Sequence, residues 1–137
     1  MPLVIDVSVS AAWCFEDEAS DLSEGALDHV AGSAALVPWL WTFEMASVLA
    51  LAERKGRLDA ERVERFLTVL SAMPIRFDDV DPRRMVRELV AVARVYELTA
   101  YDAAYLELAL RSGAMLATQD GQLADAAKRA GVTLFGT

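Results

Sequence analysis

Short apolar runs alternate with longer helix-like stretches along the whole chain. Residues 3–7 form a brief apolar run that predicts a buried strand, with Ser8 or Ser10 placed to cap the helix that follows. An acid-rich helix is expected over residues 19–30, ending near Gly32. Residues 35–37 form a second strand stopped by Pro38. Residues 39–55 read as a long buried helix closed by Gly56, with Arg54 and Lys55 suited to its C-terminal dipole. Asp59 is placed to cap a helix over 60–72, and 75–77 form a third strand. Asp81-Pro82 opens a helix running to about Tyr96, with Pro in its first turn. Thr99 caps residues 100–111, which stop at Gly113. A fourth strand (114–118), a last helix (121–130) ended by Gly131, and a fifth strand (132–135) complete the pattern. Short continuous apolar strands between helices indicate an α/β fold with a mostly parallel sheet covered on both faces. Ligands in such folds sit outside the carboxyl ends of the strands, where Asp6 and Asp120 fall.

Composition narrows the picture. With 137 residues, 55% hydrophobic content and no linker or repeat, a single domain over 1–137 is expected. No apolar run approaches the ~18 residues of a membrane span. The first residues lack Lys and Arg and are interrupted by Asp6, so no signal peptide is expected, and the protein reads as cytoplasmic with no membrane role. The lone Cys14 excludes an internal disulfide and a multi-cysteine zinc site; with no basic neighbour it reads as a buried, inert thiol. His29 has no second imidazole to share a metal with and reads as a surface residue. The net charge of −8 is uneven: residues 1–53 carry nine acids and no Lys or Arg, whereas the remainder carries twelve acids and thirteen bases. The acidic part repels nucleic acid, so such a ligand must enter elsewhere or with cations. Eleven Arg among the bases neither prove nor exclude a polyanionic ligand.

Four acids occupy places where apolar core elements begin or end: Asp6, Glu44, Asp102 and Asp120. Three have ordinary explanations. Asp6 and Asp120 suit helix caps, and Asp102 stands three residues after Thr99, at capping-box spacing. Glu44 has the weakest ordinary explanation, because Trp39, Trp41, Phe43, Met45, Val48, Leu49 and Leu51 leave its helix little solvent face. One shared cation explains all four together, since clustered carboxylates repel and raise one another's pKa unless neutralised. Oxygen-only ligands favour Mg²⁺ or Mn²⁺, and the chemistry that best fits them is phosphodiester hydrolysis. Asp125 is a spare acid expected to face solvent.

Four segments resemble the signature blocks of PIN domains: Val4-Ile5-Asp6-Val7-Ser8; Pro38 followed by Glu44; Tyr101-Asp102-Ala103-Ala104-Tyr105-Leu106-Glu107-Leu108-Ala109; and Leu116-Ala117-Thr118-Gln119-Asp120-Gly121-Gln122-Leu123. Their order and the chain length are most similar to VapC-type toxins. The resemblance implies a three-layer α/β/α sandwich and a Mg²⁺- or Mn²⁺-dependent endoribonuclease leaving 5′-phosphate and 3′-hydroxyl ends. It also implies a homodimer and a cognate antitoxin that covers the active site. Asp6, Glu44, Asp102 and Asp120 match the acidic quartet, of which Asp6, Asp102 and Asp120 are the expected metal ligands. Ser8 and Thr118 match supporting hydroxyls, and Ser47 departs from a position that is often Asn.

Arg54, Lys55 and Arg57, and separately Arg83, Arg84 and Arg87, form basic groups whose ordinary reading is solvated surface rather than RNA contact. The aromatics Trp13, Phe15, Trp39, Trp41 and Phe43 read as core or subunit interface. Receiver domains and haloacid-dehalogenase phosphatases are disfavoured, because Asp6 has no acidic neighbour and Ser8 stands where a second Asp is required. The remaining rival is a catalytically inactive PIN-like module for dimerisation and partner binding.

Overall fold

The computed structural model describes residues Met1–Thr137. Strands β1 (Leu3–Ile5), β2 (Ala35–Val37), β3 (Ile75–Phe77) and β4 (Met115–Ala117) are each three residues long. They form one all-parallel sheet in the order β3-β2-β1-β4. Leu3, Val4 and Ile5 lie opposite Met115, Leu116 and Ala117, and all three β1 side chains are fully buried. The expected fifth strand is reduced to a single bridge between Leu134 and Leu116. Gly131 and Gly136, both at positive φ, turn the chain on either side of this segment and leave no length for a ladder.

Seven α-helices connect and cover the strands: α1 (Val7–Ala12), α2 (Asp21–Gly32), α3 (Leu40–Arg54), α4 (Ala60–Ala72), α5 (Pro82–Tyr96), α6 (Ala100–Ser112) and α7 (Gly121–Arg129), with a 3₁₀ turn at Glu16–Glu18. The steps β1 to β2 to β3 run in one direction across the sheet, and the step to β4 jumps back past β1. Right-handed crossovers therefore place α1–α4 on one face and α5–α7 on the other. The packing of α1 on α2 and α3, and of α6 on α5 and α7, follows this division. The result is the expected α/β/α sandwich, with its topological switch between β1 and β4.

The helices divide by burial. In α6, Ala103 to Ala109 are all buried, as a helix packed on every side must be. Its buried Glu107 is paired with Arg111 at 2.6 Å, and Arg111 also grips Asp78. By contrast α4 and α5 contain no fully buried residue. Helix α3 departs from expectation, burying only the stripe Trp41, Met45, Leu49 and Ala52. That 3.6-residue spacing fits one face, so a second apolar face remains outside, with Trp39 64% and Phe43 68% exposed. His29 is half-buried rather than on the surface, edge-on to Phe135 at 5.5 Å, because the chain's end folds back over α2. Cys14 is half-buried, and burial followed by the Glu18 charge pushes its thiol up to about 12. No helix is long and apolar enough to cross a membrane.

Gly113 ends α6 in the left-handed conformation at φ 65°, with open space where a Cβ would project. Gly113→Ala therefore isolates backbone strain from packing. It is expected to lower unfolding free energy by about 1–2 kcal/mol, measured by denaturant titration; an unchanged midpoint contradicts this account.

Candidate active site at the carboxyl edge of the sheet

Asp6 is the first residue beyond β1. Its extended backbone makes it the N-cap of α1, and Oδ1 accepts hydrogen bonds from the Val9 amide at 3.2 Å and the Ser8 hydroxyl at 2.6 Å. Because Ile5 pairs with Ala117, Thr118 stands directly alongside, and its hydroxyl donates to Asp6 Oδ2. The Thr118 oxygen in turn accepts the Asp120 amide at 3.0 Å. The cap explanation for Asp6 is thus correct, and it coexists with a buried carboxylate that is only 4% exposed. Ser8 and Thr118, the two expected supporting hydroxyls, both donate to the Asp6 carboxylate.

Asp120 caps α7, accepting from the amides of Gln122 and Leu123 at 2.9 and 3.1 Å. Asp102 lies in the first turn of α6. Its amide bonds to the Thr99 hydroxyl at 3.2 Å, but its carboxylate does not return to the Thr99 amide, so the capping-box explanation accounts for the backbone alone. Glu44 lies on α3, half-buried, and accepts a 2.5 Å hydrogen bond from the Tyr105 hydroxyl. Ser47 and Asp125 are exposed, the latter as expected.

The four carboxylates act on one another as a closed circuit. Burial first, and then the Asp120 charge, raise the pKa of Asp6, while bonds from Ser8, Thr118 and Val9 work against the rise. Burial raises Glu44, opposed by Tyr105 and assisted by Asp6 and Asp102. Burial and then Asp120 raise Asp102. None of the four forms an ion pair with Lys, Arg or His: Arg57 is taken by Asp17 and Glu18 and Arg83 by Asp81, Arg65 and Arg111 by other acids. The N-termini of α1, α6 and α7 supply partial positive charge at Asp6, Asp102 and Asp120. As placed, no three His, Cys, Asp or Glu side chains stand close enough together to hold an ion. The donor set nonetheless suits a hard divalent cation: four neighbouring carboxylates, two hydroxyls and no competing base. Asp102 and the second oxygen of Glu44, which carry no protein donor, are free to adjust to one.

Several contributors escaped sequence reasoning. Tyr105 repeats the Asp102 face one helical turn later, a signal available from i, i+3 spacing. The Ser10 hydroxyl donates to the Asp6 carbonyl at 2.9 Å and accepts the Trp41 indole N–H at 2.9 Å, tying α3 to the β1 end. The Gln119 amide donates to Ser8 Oγ at 2.8 Å, and its side chain reaches Ser20. The last two contacts join residues 99 to 111 positions apart and leave no mark in local sequence.

Residues 3–129 match the family described as PIN domain. The chain is 30% identical over 125 residues to Ribonuclease VapC3 of Pyrobaculum aerophilum, an overlap covering 91% of this chain and 94% of that protein. Its fold is similar to the crystal structure of PAE2754 from Pyrobaculum aerophilum, with a TM-score of 0.66 at 23% identity, covering 92% of this chain and 86% of that one.

The raised carboxyl groups set a pH dependence for the metal-free protein. Their folded forms hold protons to higher pH than the unfolded chain does. Their contribution to stability is therefore fully present below the ordinary values of 3.8 and 4.5 and is lost as pH rises through the raised folded values. Melting in EDTA is expected to show Asp102→Asn more stable than wild type at about pH 8 and little changed at about pH 4. Lower stability of the variant at the higher pH contradicts the repulsion described above.

Proposed function

The chain belongs to the PIN domain family, and on that footing we propose that it is a metal-dependent endoribonuclease, the toxin of a type II toxin–antitoxin pair. The single observation that carries this reading is the circuit of four mutually repelling carboxylates, without a cationic side chain, at the switch point of the sheet. A purely structural module has no use for such repulsion. Similarity to a protein named as a ribonuclease supports RNA as substrate.

Asp6, Asp102 and Asp120, with Glu44 directly or through water, would hold one or two Mg²⁺ or Mn²⁺ ions. When bound, such an ion polarises a phosphoryl oxygen, favours ionisation of water and stabilises the leaving oxygen of an in-line displacement. The chain's own groups do the orienting. Ser8, Thr118 and the Val9 amide fix both oxygens of Asp6, and the α7 amides fix Asp120 Oδ1. Asp102 carries no such restraint and is the acid best able to adjust to a bound ion. The products are 5′-phosphate and 3′-hydroxyl ends.

The unit is a single domain over 1–137 acting in the cytoplasm, where its RNA is found. A homodimer and a cognate antitoxin are its protein partners. Exposed Trp39, Phe43 and Leu51 on α3, with Val86, Val90 and Val95 on α5, support protein-covered faces.

Asp6→Asn and Asp102→Asn are expected to lower RNA cleavage by more than the roughly 10–100-fold that loss of an outer supporting contact costs, read by sequencing cleavage ends after induction. Wild-type activity in a clean Asp6→Asn preparation defeats the assignment. Mn²⁺ at 100 times its Kd is expected to add about 2.7 kcal/mol to wild-type stability. An unchanged melting midpoint at millimolar Mn²⁺ favours the inactive, partner-binding alternative.

A further inference from the structure

The Tyr105 hydroxyl, presented from the core by α6, donates to Glu44 Oε1 at 2.5 Å. We propose that Tyr105 is a positioning residue that fixes Glu44 in the acidic site and leaves it one free oxygen; this rests on the ribonuclease reading above.

The two partners differ sharply in how they are held. Tyr105 is 2% exposed, and its ring belongs to the main core cluster, one turn beyond Asp102 on the same helix. It has little freedom to move. Glu44 stands on α3, which leans on α1 and α4 rather than on α6 and exposes much of its surface. A glutamate in such a place samples several rotamers unless something holds it. Tyr105 is the protein donor that holds it, and the bond crosses 61 residues of sequence. A buried tyrosine hydroxyl requires a polar partner; here it finds Glu44, an acid that no helix cap fixes.

Geometry assigns the consequence. With Oε1 engaged, Oε2 has no protein donor, so Glu44 offers a single oxygen to a cation or a water. A second tie lies one turn earlier on α3, where Trp41 reaches Ser10 and through it the Asp6 backbone. Between them, the two ties set α3 against both the Asp6 and the Asp102 halves of the site.

Tyr105→Phe keeps the ring and removes the hydroxyl. It is expected to weaken Mn²⁺ binding by about 10-fold, measured by calorimetry without RNA, and to lower kcat by about 10–100-fold with KM for RNA within about two-fold. Glu44→Asp withdraws the carboxylate from Tyr105 without touching the core and is expected to weaken Mn²⁺ binding to a similar degree. In a Glu44→Ala background, adding Tyr105→Phe is expected to change neither quantity further, because the pair then has nothing left to couple. Wild-type Mn²⁺ affinity in Tyr105→Phe or Glu44→Asp overturns the proposal, as does an equal loss from Tyr105→Phe in both backgrounds. A wild-type chain that neither binds Mn²⁺ nor cleaves RNA overturns the ribonuclease reading, and this inference with it.

Discussion

The contact on which the site depends is the one between Thr118 and Asp6, made across the junction of β1 and β4. It lies where the sheet's direction of growth reverses, and there β1 and β4 send their following helices to opposite faces. A carboxylate there is out of reach of bulk water, and an unsupported one would neutralise itself. Two hydroxyls and one amide keep Asp6 oriented, and Thr118 passes the connection on to the Asp120 backbone. One short pairing thus brings together acids that lie 114 positions apart in the chain.

The acids are supported unequally. Asp6 and Asp120 are built into helix caps, and their positions follow from the fold itself. Glu44 and Asp102 are held by less: one by a tyrosine, the other by its helix alone. Asp6, Glu44 and Asp102 nonetheless share one electrostatic environment, dominated by burial and sharpened by neighbouring carboxylate charge. Four arginines are engaged with other acids, among them Arg57 with Asp17 and Glu18 and Arg111 with Glu107 and Asp78. The positive charge of the chain therefore stabilises its outer layers and leaves the acids without a side-chain counterion.

Much of this was legible in the residues. Apolar triplets between helices give the parallel sheet, and Asp59, Asp81 and Thr99 mark helix starts that the structure reproduces. Asp6 and Asp120 were recognisable as strand-end acids because both follow continuous apolar runs. What escaped depends on contacts remote in sequence. Nothing local distinguishes the buried Trp41 from the exposed Trp39 and Phe43; only the packing of α3 on α1 does so. The fifth strand failed for a related reason, since its apolar residues suit a strand but the turns at Gly131 and Gly136 shorten it to one bridge. His29 was misjudged because its neighbour, Phe135, arrives from the far end of the chain.

Helix α6 has a different task at each end. Its first turn carries Asp102 and its second Tyr105, while Arg111 near its close, paired with Glu107, clamps onto Asp78 just past β3. At a rise of 1.5 Å per residue, Asp102 and Arg111 lie about 13 Å apart along one rod buried for most of its length. A rod so encased cannot bend to accommodate a change at one end; it can only slide or stay. Sliding would drag Arg111 off Asp78, so an ion pair at the far end of α6 sets the axial register of Asp102 and Tyr105.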